Sequence, residues 1–177
     1  QANVARQADI TRLFAEATAA YGRIDILVNN AGIIRRADAV DFTEKDWDDV
    51  MNVNIKSAFF MSQAAGRHFI AQGSGKIINI ASMLSFQGGI RVPSYTASKF
   101  ALRGFADSLR ADEPSLRVTS VHPGRIATAM QEELVAYEGR AYHPDEFLSP
   151  QTVARVTADA INAPRDAHIR EVVVRPR

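Results

Sequence analysis

The sequence predicts an α/β domain in which a parallel sheet is covered by helices on both faces. Three observations carry that expectation. Helical and strand patterns alternate along the whole chain, the strand runs are short and apolar, and three of them end in polar or glycine-bearing turns. The 177 residues suffice for one domain with a real core, and 46% hydrophobic with 23% charged content is that of a soluble globular protein.

Residues Asn3 to Tyr21 read as an amphipathic helix, with Ile10, Leu13, Phe14 and Ala17 at helical spacing and Gly22 as its stop. Ile24-Asp25-Ile26-Leu27-Val28 suits a strand buried on both faces, closed by Asn29-Asn30-Ala31-Gly32. After a loop over 33–43, Thr43 serves as N-cap to a helix with an acidic first turn. That helix is expected to run unbroken to about Gln72, its aromatic and methionine positions serving core or subunit contact. Lys76–Ala81 is the next strand and ends at Ser82. A Gly88-Gly89 loop then leads to the helix that carries Tyr95 and Lys99 and runs to about Asp112, stopped by Pro114. Leu116–Val121 is a strand that His122-Pro123-Gly124 turns out of the sheet. Residues 125–149 are irregular apart from a short helix near Met130–Tyr137. Ser149-Pro150 opens a helix to about Ala163, and Glu171–Val174 is the last strand.

Net charge is +1 and the basic residues are scattered, so the sequence carries no electrostatic footprint for nucleic acid or a membrane surface. With no cysteine there is no disulfide or thiolate chemistry. His122 has no second ligand at metal spacing, so no metal is expected. No signal peptide or apolar run of spanning length is evident, and a cytoplasmic enzyme is the default expectation.

In parallel sheets ligands collect beyond the carboxyl ends of the strands. Asn29–Gly32, Ser82 and His122–Gly124 all fall at such ends, so three strands aim polar or glycine-bearing turns at one cleft. Tyr95 and Lys99 stand at i and i+4 of a helix beginning near the same edge, and therefore share one face. A cation within roughly 4–6 Å of a phenol favours the phenolate, which would bring Tyr95 toward general acid/base work. Ser82 would hydrogen-bond the same substrate oxygen. Arg35, Arg36 and Arg91 lie on loops near the cleft, where a guanidinium can clamp a carboxylate with two hydrogen bonds, although solvated loop arginines are commoner.

A dinucleotide site needs a glycine-rich turn between a first strand and its helix. Gly73-Ser74-Gly75 precedes a strand, and Gly88-Gly89 leads into a loop. The chain enters at Gln1 inside a helical pattern, without an earlier strand. These features create the expectation of a single domain over 1–177 that lacks its first βαβαβ portion.

Asn29-Asn30-Ala31-Gly32, Asn54 within Val53-Asn54-Ile55, Ser82, Tyr95-x-x-x-Lys99 and Pro123-Gly124 with Thr128 downstream occur in the order and spacing of the short-chain dehydrogenase/reductase family, which this chain resembles over nearly its whole length. The resemblance implies a three-layer αβα Rossmann-like parallel sheet, incomplete on its N-terminal side, with about four strands present. It implies Asn54, Ser82, Tyr95 and Lys99 as a catalytic tetrad: Tyr95 as acid/base, Ser82 polarising the substrate oxygen, Lys99 tuning the tyrosine and binding ribose, Asn54 holding a relay water. It also implies that Asn30, Ala31 and Gly32, with Val4 nearby, face the adenosine side of NAD or NADP. Pro123, Gly124, Ile126 and Thr128 would line its nicotinamide. Residues from about 24 to 99 look particularly like 2-keto-3-deoxygluconate dehydrogenases, and the part from Phe100 onward like another branch. The implied activity is interconversion of a small-molecule secondary alcohol and ketone, on a sugar acid in that group, by a homodimer or homotetramer. The alternative is a non-catalytic dimerising fragment unable to bind dinucleotide.

Overall fold

A computed structural model describes residues 2–164 and 166–177; Gln1, where the sequence enters, lies outside them. Four strands, β1 (Ile26–Asn29), β2 (Lys76–Ile80), β3 (Arg117–Pro123) and β4 (Glu171–Val174), form one sheet in the order β1-β2-β3-β4. Every pairing is parallel, with Asn29 beside Asn79, Ile80 beside Val121 and Pro123 beside Val174. Their carboxyl ends therefore lie along one edge, as sequential apolar runs joined by helical crossovers require.

The helices are α1 (Gln7–Tyr21), α2 (Glu44–Met51), α3 (Ser57–Ala71), α4 (Pro93–Asp112), α5 (Ala129–Tyr137) and α6 (Pro150–Ile161). Local chemistry sets several ends. Gly22 takes φ 78° and donates its N–H to Thr18, a left-handed stop that glycine enters without strain. The Thr43 and Ser149 hydroxyls cap α2 and α6 by accepting from the Asp46 and Thr152 amides. Between α2 and α3 the expected unbroken helix widens into a π turn over Asn52–Lys56, where the Ser57 amide bonds back to Asn52. Such turns concentrate where a helix carries a side chain with work outside it, and Asn54 is that side chain.

One core lies on the face where α1, α3 and α4 pack: Ile10, Phe14, Leu27, Phe69, Ile77 and Val118 are among its buried members. Gly75 is part of this fit, because a Cβ there would stand 2.0 Å from Phe69 Cγ. The opposite face is covered by α6, which reaches β2 and β3, giving three layers. It leaves β1 uncovered, so Ile26 and Val28 are 40% and 43% exposed. The expectation that this strand is buried on both faces therefore fails for the described residues: Leu27 is buried in the core and Ile24 packs against it, while Ile26 and Val28 stay exposed. Among the described residues no helix is long and apolar enough to cross a membrane.

Candidate active site

The turns after β1, β2 and β3 meet at the carboxyl edge of the sheet, and the first turns of α4 stand beside them. Asn29 faces inward, where its Nδ2 donates to Ser62 Oγ at 3.0 Å and Asn79 Oδ1 at 2.9 Å. It fixes the end of β1, while Asn30 and Ala31 remain exposed. Val4, Asn30, Ala31, Asn54, Ile80 and Lys99 line one cleft there.

Asn54 is buried, and its amide ties that turn to α4. Its Oδ1 accepts from the Ile33 N–H at 2.8 Å. Its Nδ2 donates to Ile33 O at 2.9 Å and to Ser98 Oγ at 3.1 Å, and Ser98 Oγ donates to Tyr95 O at 2.7 Å. Both amide hydrogens are committed, so the side chain acts as a clamp. The asparagine in the helix interior was legible in the sequence; its burial, and its partner 21 residues away on a loop, were not.

Ser82 ends the β2 segment with extended backbone and accepts the Leu84 amide at 3.1 Å. Tyr95, on the first turn of α4, stands near enough to the Ser82 hydroxyl for that group to favour its phenolate, so the two stand on the same side of the sheet. Burial pushes the Tyr95 phenol above its usual 10.0; the Ser82 hydroxyl and then the Arg36 charge act in the opposite direction. This differs from the simple expectation that Lys99 lowers the phenol. Lys99 Nζ lies 5.5 Å from the Tyr95 ring centroid but is aimed at Ile80 O, to which it donates at 2.9 Å.

Lys99 is itself buried, and loss of hydration lowers its amine from 10.5 to about 8. The folded state therefore disfavours the ammonium. That cost is fully present below about pH 8 and fades as pH rises toward 10.5, where the unfolded chain also loses the proton. A Lys99→Met variant removes that cost but also strips Ile80 O of its donor, so relative to wild type it should be about 2–3 kcal/mol more stable near pH 7 than near pH 10.5, as read from urea unfolding at the two pH values.

On the β3 side, His122 is fully buried, with Nδ1 3.2 Å from Ser82 O and Nε2 3.5 Å from Glu171 Oε1. Desolvation lowers its pKa, so it stands neutral beneath Ser82 and holds that backbone in place. Pro123 is buried at the end of β3. Gly124 donates to Val174 O at 2.7 Å, and a Cβ there would come 3.0 Å from Pro176. Ile126 is half-buried and bridged to Leu148; Thr128 stands exposed at the N-cap of α5. Among the described residues no group of three or more His, Cys, Asp or Glu is placed to hold a metal. Sequence reading missed Arg110, which is buried and bonds Val118 O, Ser120 Oγ and Arg170 O. An arginine in the last turn of a helix gives no local sign of that role.

The sequence family described as short chain dehydrogenase matches residues 1–139. The 2-dehydro-3-deoxy-D-gluconate 5-dehydrogenase of Escherichia coli K12 is 55% identical over 161 residues, which are 89% of this chain and 60% of that protein. The chain thus spans about 60% of the length of the curated relatives it matches. Among solved structures, a metagenomic short-chain oxidoreductase in complex with NADP is 28% identical with a TM-score of 0.82. That match covers 99% of this chain and 72% of the other. A gluconate 5-dehydrogenase from Burkholderia cenocepacia J2315, in complex with NADP and tartrate, is 40% identical with a TM-score of 0.72, over 75% of this chain and 52% of that one.

Proposed function

The chain belongs to the short-chain dehydrogenase family, and from that premise we propose that it is the catalytic part of an NAD(P)-dependent oxidoreductase interconverting a secondary alcohol and a ketone, with a sugar acid as substrate. The single observation that carries this reading is the meeting of the Ser82 hydroxyl, the Tyr95 phenol and the Lys99 amine at the carboxyl edge of the sheet.

The donor set suits the ribose and nicotinamide half of a dinucleotide. A Cβ on Gly32 would stand 3.5 Å from Asn54 Oδ1 and 3.9 Å from Lys99 Nζ. A longer side chain there would project into the approach to Lys99, and glycine leaves that approach open. Lys99 and Tyr95 would hold the ribose hydroxyls; Asn30, Ala31 and Gly32, with Val4, would face the adenosine side; Pro123, Gly124, Ile126 and Thr128 would line the nicotinamide. When bound, NAD or NADP supplies the chemistry of accepting or returning a hydride at the carbinol carbon. The described residues contain no glycine-rich turn from strand to helix for the pyrophosphate.

The protein's own residues handle the proton. Ser82 donates to the substrate oxygen and polarises it. Burial keeps Tyr95 in the phenol form through the neutral range, ready to protonate the oxygen during ketone reduction. In the oxidation direction Tyr95 first gives up its own proton to solvent, and the phenolate oxygen then takes the proton of the alcohol. Lys99, charged below about pH 8, orients the ribose and supports the charge that develops on Tyr95. Asn54 keeps the Ile33 turn and α4 in mutual register, and a water held against it passes the proton outward.

Association with a second copy through α2–α3 and α4 accompanies this reading. The large apolar side chains Phe59 and Phe100 stand 42% and 45% exposed on α3 and α4. The matched relative is a dehydrogenase, which lends no support to a non-catalytic dimerising module. Nicotinamide absorbance, followed with a sugar acid in the protein that carries this chain, tests the proposal. Turnover that survives unchanged in Tyr95→Phe contradicts it.

A further inference from the structure

Ser82 is held from behind by side chains that no local pattern of the sequence connects. Its carbonyl accepts from the Ser85 N–H at 3.0 Å, and His122 Nδ1 lies 3.2 Å from the same oxygen. A carbonyl only accepts, so the histidine bond exists when Nδ1 carries the imidazole proton. The other ring nitrogen then presents a lone pair. That nitrogen, Nε2, is buried without a hydrogen-bond partner and stands 3.5 Å from Glu171 Oε1. An apolar side chain would fill the same space without an unpaired buried nitrogen, a group that native folds keep rare. What the histidine adds is a fixed donor at the Ser82 main chain.

Two oxygens compete for the one proton of a neutral imidazole placed in this way. Ser82 O calls it to Nδ1, and a free Glu171 carboxylate, being charged, would call it to Nε2. Arg103 decides the contest. Its Nε donates to Glu171 Oε1 at 2.8 Å and its Nη2 to Oε2 at 3.4 Å, so the carboxylate is engaged away from the ring and the proton stays on Nδ1. The same two residues also hold the far end of the turn that Ser82 opens: the Arg103 guanidinium and the His122 imidazole each lie 4.5 Å from the centroid of the Phe86 ring. β3, β4 and α4 thus contribute one side chain each to a cluster behind Ser82.

We propose that His122, Glu171 and Arg103 form one positioning unit, in which the Arg103–Glu171 pair locks the imidazole tautomer and the imidazole sets the main chain of Ser82, and through it the hydroxyl that meets the substrate oxygen beside Tyr95. The assignment rests on the oxidoreductase reading and adds to it three residues behind the site.

Side-chain 15N NMR of the histidines at pH 9, where His122 is neutral, reads the tautomer directly; the other three histidines are exposed and His122 is not. Wild type should carry the proton on Nδ1, and Arg103→Met, which releases Glu171, should carry it on Nε2. Two further variants separate the arms of the ring. The amide nitrogen of His122→Asn falls where Nδ1 stood and keeps a donor for Ser82 O; that of His122→Gln reaches the place of Nε2 and leaves Ser82 O without it. By 13C NMR, Tyr95 should titrate higher than wild type in His122→Gln and Arg103→Met, the direction expected of Ser82→Ala, and as wild type in His122→Asn. In the protein that carries this chain, kcat should fall about tenfold in His122→Gln and Arg103→Met, the scale of a small misplacement, with KM changed by less than about twofold. A wild-type proton on Nε2, which needs no variant to observe, overturns the assignment. So does a proton that stays on Nδ1 in Arg103→Met, or a Tyr95 titration that is alike in folded His122→Asn and His122→Gln. Tautomer and titration are read without turnover, so an inactive wild type overturns the oxidoreductase reading alone.

Discussion

Tyr95→Phe is expected to lower kcat by about a thousandfold or more while leaving the fold intact, the scale of a lost general acid/base in a positioned site. That corresponds to about 4 kcal/mol of barrier. The substitution removes one oxygen and keeps the ring that packs 5.5 Å from Lys99 Nζ. What is lost is the phenol hydroxyl beside Ser82, the proton donor itself. Because the proton transfer belongs to the transition state and not to ground-state binding, kcat and kcat/KM should fall together with KM nearly unchanged. Steady-state rates from nicotinamide absorbance, with circular dichroism to verify folding, decide the matter. A tenfold effect or less would mean that another group handles the proton.

Asn54→Ala is expected to damage both stability and turnover. The buried amide makes three hydrogen bonds, two to the Ile33 backbone and one to Ser98 Oγ. Its removal leaves a backbone N–H and C=O without partners at the mouth of the cleft. Buried groups stripped of partners cost about 1–3 kcal/mol each, moderated here because the turn reaches water on its outer side. A loss of about 2–3 kcal/mol in urea unfolding is the expected result. Turnover should fall by about a hundredfold, because the turn carrying Asn30–Gly32 loses its register with Tyr95 and Lys99 and small misplacements are costly in positioned catalysis. Asn54→Asp, which keeps the acceptor for Ile33 N–H but not the donors, should fall between. Wild-type stability in the alanine variant would show that the clamp carries no weight.

Much of this architecture was legible in the residues because its signals are local. The alternation of strand and helix follows from hydrophobic period. The Thr43 and Ser149 caps and the Gly22 stop follow from side-chain chemistry one turn away. The shared face of Tyr95 and Lys99 follows from their spacing of four, and the convergence of Asn29–Gly32, Ser82 and Pro123 follows from parallel strands. Long-range facts were hidden. Ile26 and Val28 look like core residues, yet their exposure depends on where α6 stops across the sheet. The direction of the Tyr95 shift depends on burial and on Ser82 and Arg36, not on the lysine that spacing singles out. Three loop arginines were equivalent as letters; only folding brings aspartates to Arg35 and Arg91 and none to Arg36.

The most direct measurement is the titration of Tyr95 itself, followed by 13C NMR of ring-labelled tyrosine in wild type and Ser82→Ala, with Tyr95→Phe identifying the signal among the four tyrosines. The shared-oxygen geometry predicts that Tyr95 titrates above 10.0 in wild type and higher still in Ser82→Ala, because a hydroxyl that lowers its pKa has been removed. A Tyr95 that titrates at the same pH with and without the Ser82 hydroxyl would contradict the claim that serine and tyrosine serve one substrate oxygen.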